Sequence, residues 1–172
     1  MPPVALSLPK KPLVDTNILF DFLLWRFSVE NGMNVERLPL GPLRPTPLRE
    51  PLLWYLDRAK PIQTSPHVIA EIHGLLKSRA GWKGVRLESF WGFAQAELVR
   101  LGLEEDLVKV TEMESETLRS LGPTDTAIVV LAAKLGSVVF TEDGELRGWC
   151  AKQEIGLLNC SDGLALWQVH TA

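Results

Sequence analysis

The chain has 172 residues, 46% of them hydrophobic and 23% charged, and its formal net charge is −3 at pH 7. This length suits one domain with a sizeable core, and the slightly acidic balance excludes a uniformly basic nucleic-acid binder but not a locally basic one. No stretch approaches the roughly 20 apolar residues of a membrane span, so we expect no membrane association.

Strand-like and helix-like segments alternate along the chain. Short apolar stretches predict five strands, at residues 13–14, 61–65, 106–110, 137–141 and 155–160. Apolar residues at helical spacing, bounded by Ser, Thr, Pro or Gly, predict helices at residues 16–27, 65–79, 85–101 and 123–136. We expect Thr16 or Asn17 to cap the first helix and Ser65 to cap the second. This alternation predicts a three-layer α/β/α sandwich with a mainly parallel, five-stranded sheet.

Residues 29–60 interrupt the alternation. They are rich in proline and have no clear period, so we interpret them as an insertion between the first helix and the second strand of a single domain spanning residues 1–172. Basic residues also concentrate in this part of the chain. Residues 26–86 carry ten Lys or Arg against five Asp or Glu, and residues 87–172 carry six against fourteen. A locally basic surface is therefore expected.

Two interpretations of the basic part of the chain, residues 26–86, stay open. Four basic side chains in it are candidate contacts for RNA phosphates, namely Arg44, Arg49, Lys77 and Arg79. The alternative is that the insertion packs residues 52–54 as a surface flap or a dimer contact.

Cysteine usage bears on the compartment. The chain contains only Cys150 and Cys160, which are too far apart for a C-x-x-C metal knuckle. We expect both to be reduced and buried in a cytoplasmic protein.

Four carboxylates come from separate segments at the ends of the predicted elements. Asp15 follows the first strand, Asp143 follows the fourth, Asp125 begins the helix before the fourth strand, and Glu71 lies in the helix after the second. Ligands of parallel sheets bind at the carboxyl ends of the strands, so we expect these four to converge there. Such charges repel unless a hard cation such as Mg²⁺ or Mn²⁺ relieves them. Asp21, further along the first helix, is expected at the surface.

The segments "LVDTNILF", "SPHVIAEI", "PTDTAIVVLAAKLG" and "VVFTEDGEL" resemble, in this order, the four signature blocks of the PIN domain, a family of metal-dependent ribonucleases related to the 5′-nucleases. The resemblance extends over about residues 11–162. It implies an acidic, metal-binding and catalytic quartet of Asp15, Glu71, Asp125 and Asp143, supported by the amide of Asn17 and the hydroxyl of Thr141. The chain departs from the family in its long spacing between the first two acids, and in Thr126, where many relatives have Ala.

The resemblance implies an endoribonuclease that uses Mg²⁺ or Mn²⁺ to hydrolyse RNA phosphodiester bonds. It further implies the toxin of a toxin–antitoxin pair, which would form a homodimer and bind a protein antitoxin. Two alternatives stay open. Asp15 after the first strand is also typical of haloacid-dehalogenase-like phosphatases, although Asn17 replaces their second Asp. The second alternative is a PIN-like fold that only binds RNA or protein. Four clustered carboxylates would be costly without a function, which argues against this alternative.

Overall fold

The computed structural model describes residues 8–171, and it contains a five-stranded sheet surrounded by helices. The strands are β1 (Leu13–Val14), β2 (Gln63–Thr64), β3 (Glu104–Glu105), β4 (Val139–Phe140) and β5 (Leu157–Leu158). The helices are α1 (Thr16–Glu30), α2 (Arg49–Ala59), α3 (Pro66–Ser78), α4 (Gly84–Arg100), α5 (Ser115–Leu135), α6 (Gly144–Lys152) and α7 (Cys160–Thr171). Helices α2, α6 and α7 were not predicted from the sequence.

The sheet has the strand order β3-β2-β1-β4-β5, and every neighbouring pair is parallel. The predicted α/β class and parallel sheet are therefore confirmed. Strand order reverses at β1, because the chain moves from β1 to β2 and β3 on one side and then returns to β4 on the other. The carboxyl ends of β1 and β4 thus flank the point where open α/β sheets bind ligands.

Helix α1 lies in the centre of the molecule. Its residues Ile18, Leu19, Phe22 and Leu23 are fully buried, and apolar side chains occupy nearly its whole circumference. Such a helix must be covered on all sides, and α1 packs against α2, α3 and α4. Asp15 caps α1, so the expected cap at Thr16 or Asn17 is wrong by one or two positions.

The third strand also differs from its prediction. It occupies Glu104–Glu105 rather than residues 106–110, whose Leu107 and Val110 side chains are exposed. Val108 is buried and contributes to the core without joining the sheet. Because β3 lies at the edge of the sheet and pairs on one side only, it accommodates charged residues that an apolar pattern cannot reveal.

The predicted insertion is only partly a loop. Its second half forms α2, which buries Leu52, Tyr55 and Leu56 and packs against α7. The proline-rich sequence hid this helix, although Pro51 lies in its first turn, where a missing N–H group breaks no helical hydrogen bond. Within residues 52–54, Leu52 is buried, and Leu53 and Trp54 are half-buried against the core.

Two buried charged side chains hold the irregular part of this segment. Asp21 is 2% exposed, and its Oδ2 accepts hydrogen bonds from the backbone N–H groups of Gly41 (2.8 Å) and Leu43 (2.9 Å). Arg49 is 6% exposed and donates to the carbonyl oxygens of Leu43 (3.0 Å) and Arg44 (2.8 Å). The expected surface position of Asp21 and RNA contact of Arg49 are therefore both wrong, because each side chain is bound to the loop.

Two further expectations concern the membrane and the cysteines. None of the helices formed by residues 8–171 is long and apolar enough to cross a membrane. Cys150 and Cys160 are both buried and form no disulfide, as predicted. Burial raises the pKa of the Cys150 thiol to about 11, with smaller contributions from the negative charges of Asp125 and Asp15.

The loop contacts of Asp21 lead to a stability prediction. Asp21→Ala leaves the N–H groups of Gly41 and Leu43 without their acceptor, and it should lower the free energy of unfolding by about 2–4 kcal/mol. Asp21→Asn keeps an acceptor oxygen and should cost less than half as much. Urea unfolding of both variants measures the difference, and equal losses would show that the hydrogen bonds to the loop are not the cause.

Candidate acidic site at the carboxyl edge of the sheet

The centre of the candidate site is the junction of β1 and β4. Val14 pairs with Phe140, so Asp15 and Thr141 follow their strands at the same level. The N–H of Asp15 donates to the carbonyl oxygen of Phe140 (3.1 Å), and the hydroxyl of Thr141 donates to Asp15 Oδ2 (2.7 Å). Asp15 Oδ1 accepts from the N–H of Thr16 and so caps α1. The apolar strand thus ends on a carboxylate that begins a helix and bonds to the neighbouring strand.

Asp143 has the equivalent position after β4. It caps α6, with Oδ1 accepting from the N–H groups of Glu145 (2.9 Å) and Leu146 (2.8 Å). Its own N–H donates to the hydroxyl oxygen of Thr141 (2.9 Å), so this threonine links the backbone of Asp143 to the carboxylate of Asp15. Asp143 Oδ2 has no hydrogen-bond partner among the described residues and remains open to a ligand.

Glu71 approaches from α3. It is exposed, and its Oε2 accepts a hydrogen bond from the hydroxyl of Thr16 (3.0 Å). Because Thr16 also donates its N–H to Asp15, one residue at the start of α1 connects two of the carboxylates. Such a connection was not predicted from the sequence, since it spans 55 positions of the chain.

Asp125 reaches the site through a break in α5. The backbone leaves helical geometry at Gly122 (φ 78°, ψ 176°), and the helix resumes at Pro123. A positive φ of this kind favours glycine, and proline suits the first turn that follows. The predicted helix 123–136 is thus the second half of α5, which ends before Gly136 in the left-handed conformation. The hydroxyl of Thr126 donates to the carbonyl oxygen of Gly122 (2.6 Å), so it bonds across the break.

The four carboxylates act on one another electrostatically. Burial raises the pKa of Asp15 to about 6, the hydrogen bonds from Thr141 and Thr16 oppose the rise, and the charges of Asp143 and Glu71 add to it. The pKa of Asp125 is raised to about 7, chiefly by burial and in addition by the charges of the other three carboxylates. No Lys or Arg among residues 8–171 forms an ion pair with any of the four. The site therefore concentrates negative charge that the described residues leave uncompensated.

A fifth polar side chain was missed as a site residue. Leu13 pairs with Gln63, so Ser65 lies beside Asp15 at the same edge of the sheet. Ser65 has the predicted N-cap position of α3, but its hydroxyl makes no capping hydrogen bond. The hydroxyl is fully buried and has no partner among the described residues. An unpartnered buried hydroxyl is costly, which is consistent with a polar ligand at this position.

The remaining candidates lie around this centre or away from it. Asn17 is half-buried in the first turn of α1, but the hydrogen bonds to Asp15 come from Thr141 and Thr16 instead. Three of the basic candidates are exposed, namely Arg44, Lys77 and Arg79.

The donor set fits a hard divalent cation. All four charged groups are carboxylates, which Mg²⁺ and Mn²⁺ prefer, and the orphaned hydroxyl of Ser65 adds a neutral oxygen beside them. Among residues 8–171, no three acidic, His or Cys side chains already stand together as a metal-holding group.

A scan against protein-family models finds no match to this chain, and a search of curated proteins finds no significant relative. The resemblance to the PIN domain therefore rests on the four sequence segments and stays a hypothesis.

The raised pKa of Asp125 predicts a stabilising substitution. Its pKa is higher in the folded chain than in the unfolded chain, so ionisation destabilises the fold, and the penalty grows as pH rises from about 4 to about 7. In EDTA at pH 8, Asp125→Asn should raise the free energy of unfolding by about 1–2 kcal/mol, allowing for partial exposure, and the gain should vanish near pH 4. Urea unfolding at several pH values measures it.

The matched control for this prediction is Asp106→Asn, which removes an exposed carboxylate outside the site. It should leave stability unchanged at both pH values. A gain in Asp125→Asn that did not depend on pH would contradict the electrostatic explanation.

Proposed function

We propose that the protein is a metal-dependent endoribonuclease that hydrolyses phosphodiester bonds, with Asp15, Glu71, Asp125 and Asp143 at its active site. One observation carries the proposal. Asp15, only 1% exposed, ends the central strand at the point where strand order reverses, and the charges of Asp143 and Glu71 add to the rise that burial causes in its pKa. Like charges that gather around a buried carboxylate and have no basic partner are typical of sites that bind a cation.

The chain's own residues have distinct roles in this proposal. Asp15 and Asp143 would hold Mg²⁺ or Mn²⁺ directly, with Glu71 and Asp125 completing the set. When bound, the cation supplies an activated water and neutralises charge on the phosphoryl group. Thr141 holds the Asp15 carboxylate in one orientation through its 2.7 Å hydrogen bond. Fixing a ligand carboxylate in this way limits the reorganisation that binding requires.

The proposed reaction class depends on the residue two positions after Asp15. A phosphatase that works through a phospho-aspartate needs a second acid two residues later, and Asn17 stands at that position. A diester substrate needs no such acid, because water and the cation supply the nucleophile and the charge relief. The proposal also includes the role that the motif resemblance implies, a cytoplasmic toxin that dimerises and is inhibited by a protein antitoxin.

A cleavage assay with single-stranded RNA tests the reaction. Wild-type protein should cleave in millimolar Mg²⁺ or Mn²⁺ and should be inactive in EDTA. Asp143→Asn should lose at least a hundredfold in cleavage rate, because one carboxylate of the site is lost, while Asn still caps α6 and preserves the fold.

This proposal would be contradicted by cleavage by the wild type in EDTA, by unchanged cleavage by Asp143→Asn, or by rapid hydrolysis of p-nitrophenyl phosphate. The last would favour a haloacid-dehalogenase-like phosphatase. RNA binding with no cleavage under any metal condition would favour a module that only binds.

The hydrogen bond from Thr141 gives a separate prediction. Thr141→Val keeps the buried shape but removes the hydroxyl that orients Asp15, and it should weaken Mn²⁺ binding by about 10–100-fold. Thr117→Val is the control, because Thr117 is also buried but bonds to Glu114 at the start of α5. Calorimetric titration with Mn²⁺ compares the two, and equal affinities would assign Thr141 a purely structural role.

A further inference from the structure

A cavity of about 750 Å³ lies between the segment that follows α1 and the segment that joins α3 to α4. Four arginines line it, namely Arg37 and Arg44 from the segment after α1, Arg79 from the segment between α3 and α4, and Arg86 from the first turn of α4. We call this cavity the basic groove. Arg79 directly follows the last residue of α3, so the groove adjoins the helix that carries Glu71.

The positive charge of the basic groove is available to a ligand. All four arginines are exposed, and none forms a salt bridge among residues 8–171. The charges of Arg79 and Arg44 partly offset the rise that burial causes in the pKa of the Asp21 carboxylate. The one acidic residue in the lining, Glu36, is paired with the buried Arg49 at 3.4 Å. The guanidinium of Arg86 lies over the ring of Trp82, 4.3 Å from its centroid. This stacking holds one guanidinium at the cavity wall.

The groove and the carboxylates are connected through α3. Glu71 and Arg79 are eight residues apart along this helix and its cap, which corresponds to about 12 Å. Asp21 on α1 holds the backbone at Gly41 and Leu43, so the loop that carries Arg44 is fixed to the helix that starts at Asp15. Glu71 and Arg79 thus lie at a defined separation along α3, and the loop that carries Arg44 is tied to α1.

We propose that the basic groove binds the backbone phosphates of a single-stranded RNA whose scissile bond lies at the four carboxylates. This inference rests on the proposed function and names the part of the substrate that the active site cannot attract, because its carboxylates repel phosphate. Guanidinium groups bind phosphate oxygens in a two-pronged geometry. Trp82 is 4% exposed and offers little surface for stacking a base, so the groove contributes affinity without base specificity.

The test measures binding without cleavage. A fluorescein-labelled 12-nucleotide oligouridylate is titrated with protein in EDTA at several salt concentrations, and fluorescence anisotropy reports the affinity. The groove variant is Arg37→Glu with Arg79→Glu, since the side chains of these two exposed arginines make no hydrogen bond among residues 8–171. The control is Arg119→Glu with Lys134→Glu, which makes the same change of charge on exposed positions of α5.

The groove variant should bind the oligonucleotide at least tenfold more weakly than the control. The slope of log affinity against log salt should flatten by about 1.4, because two phosphates of the RNA no longer meet an arginine, and that of the control should stay near the wild-type slope. Equal affinities and slopes in the two variants would overturn the proposal. Displacement of the RNA by a polyglutamate peptide at equal charge concentration would also overturn it, in favour of an acidic protein partner.

Substrate length separates this inference from the proposed function. If both hold, the groove variant should lose kcat/KM on the 12-mer in Mn²⁺ but keep that of the wild type on a dinucleotide, which is too short to reach the groove. RNA binding that depends on the groove, with no cleavage, would support the groove as the RNA-binding surface and contradict the proposed nuclease activity. Cleavage of the 12-mer that is insensitive to the groove variant would refute the groove and leave the nuclease standing.

Discussion

The carboxylate of Asp15 lies where a charge is costly, at the buried end of the central strand. It is tolerated because both oxygens accept hydrogen bonds, one from the start of α1 and one from Thr141 after β4. These bonds join the strand, the helix and the neighbouring strand at one point. They compensate the burial only in part, since the pKa of Asp15 still rises to about 6. The other residues of the candidate site surround a carboxylate whose ionisation in the folded protein is therefore unfavourable.

The other carboxylates increase that cost instead of relieving it. Asp143 and Glu71 add to the rise that burial causes in the pKa of Asp15, and all three add to the burial that raises the pKa of Asp125 to about 7. A protein that needed only stability would separate these charges or pair them with bases. Four arginines instead line the basic groove, and one of them, Arg79, lies about 12 Å along α3 from Glu71. This separation of charge suits a ligand that carries negative charge along its length and is attacked at one point.

The sequence predicted the features that depend on local pattern. Asp15 and Asp143 follow apolar stretches, and Pro123 with Thr124 marks a helix start, so the carboxyl edge of the sheet could be assigned its acids. Features that depend on distant contacts were missed. The burial of Asp21 was missed because its hydrogen-bond partners lie 20 and 22 positions away along the chain. The free hydroxyl of Ser65 could not be foreseen either, because its residue has the pattern of an ordinary helix cap.

Proline content and charge were misleading where tertiary packing decides the structure. Helix α2 forms within a proline-rich segment, and its packing against α7 stabilises it there. Arg49 belongs to a basic stretch but is buried, since the loop before α2 offers it carbonyl acceptors. Composition therefore indicated a basic surface correctly, while only the structure distinguishes the arginines that line it from the one that holds the loop.

Cation binding by the four carboxylates is the central claim, and its proton balance tests it most directly. At pH 6.5 part of the Asp15 and Asp125 population is protonated, so a cation that ligates them must displace protons. Calorimetric titration with Mn²⁺ in buffers of different ionisation enthalpy measures this release. We expect release at pH 6.5 that largely disappears at pH 8.5 and is smaller in Asp125→Asn. Absence of Mn²⁺ binding, or binding with no proton release at either pH, would contradict the account.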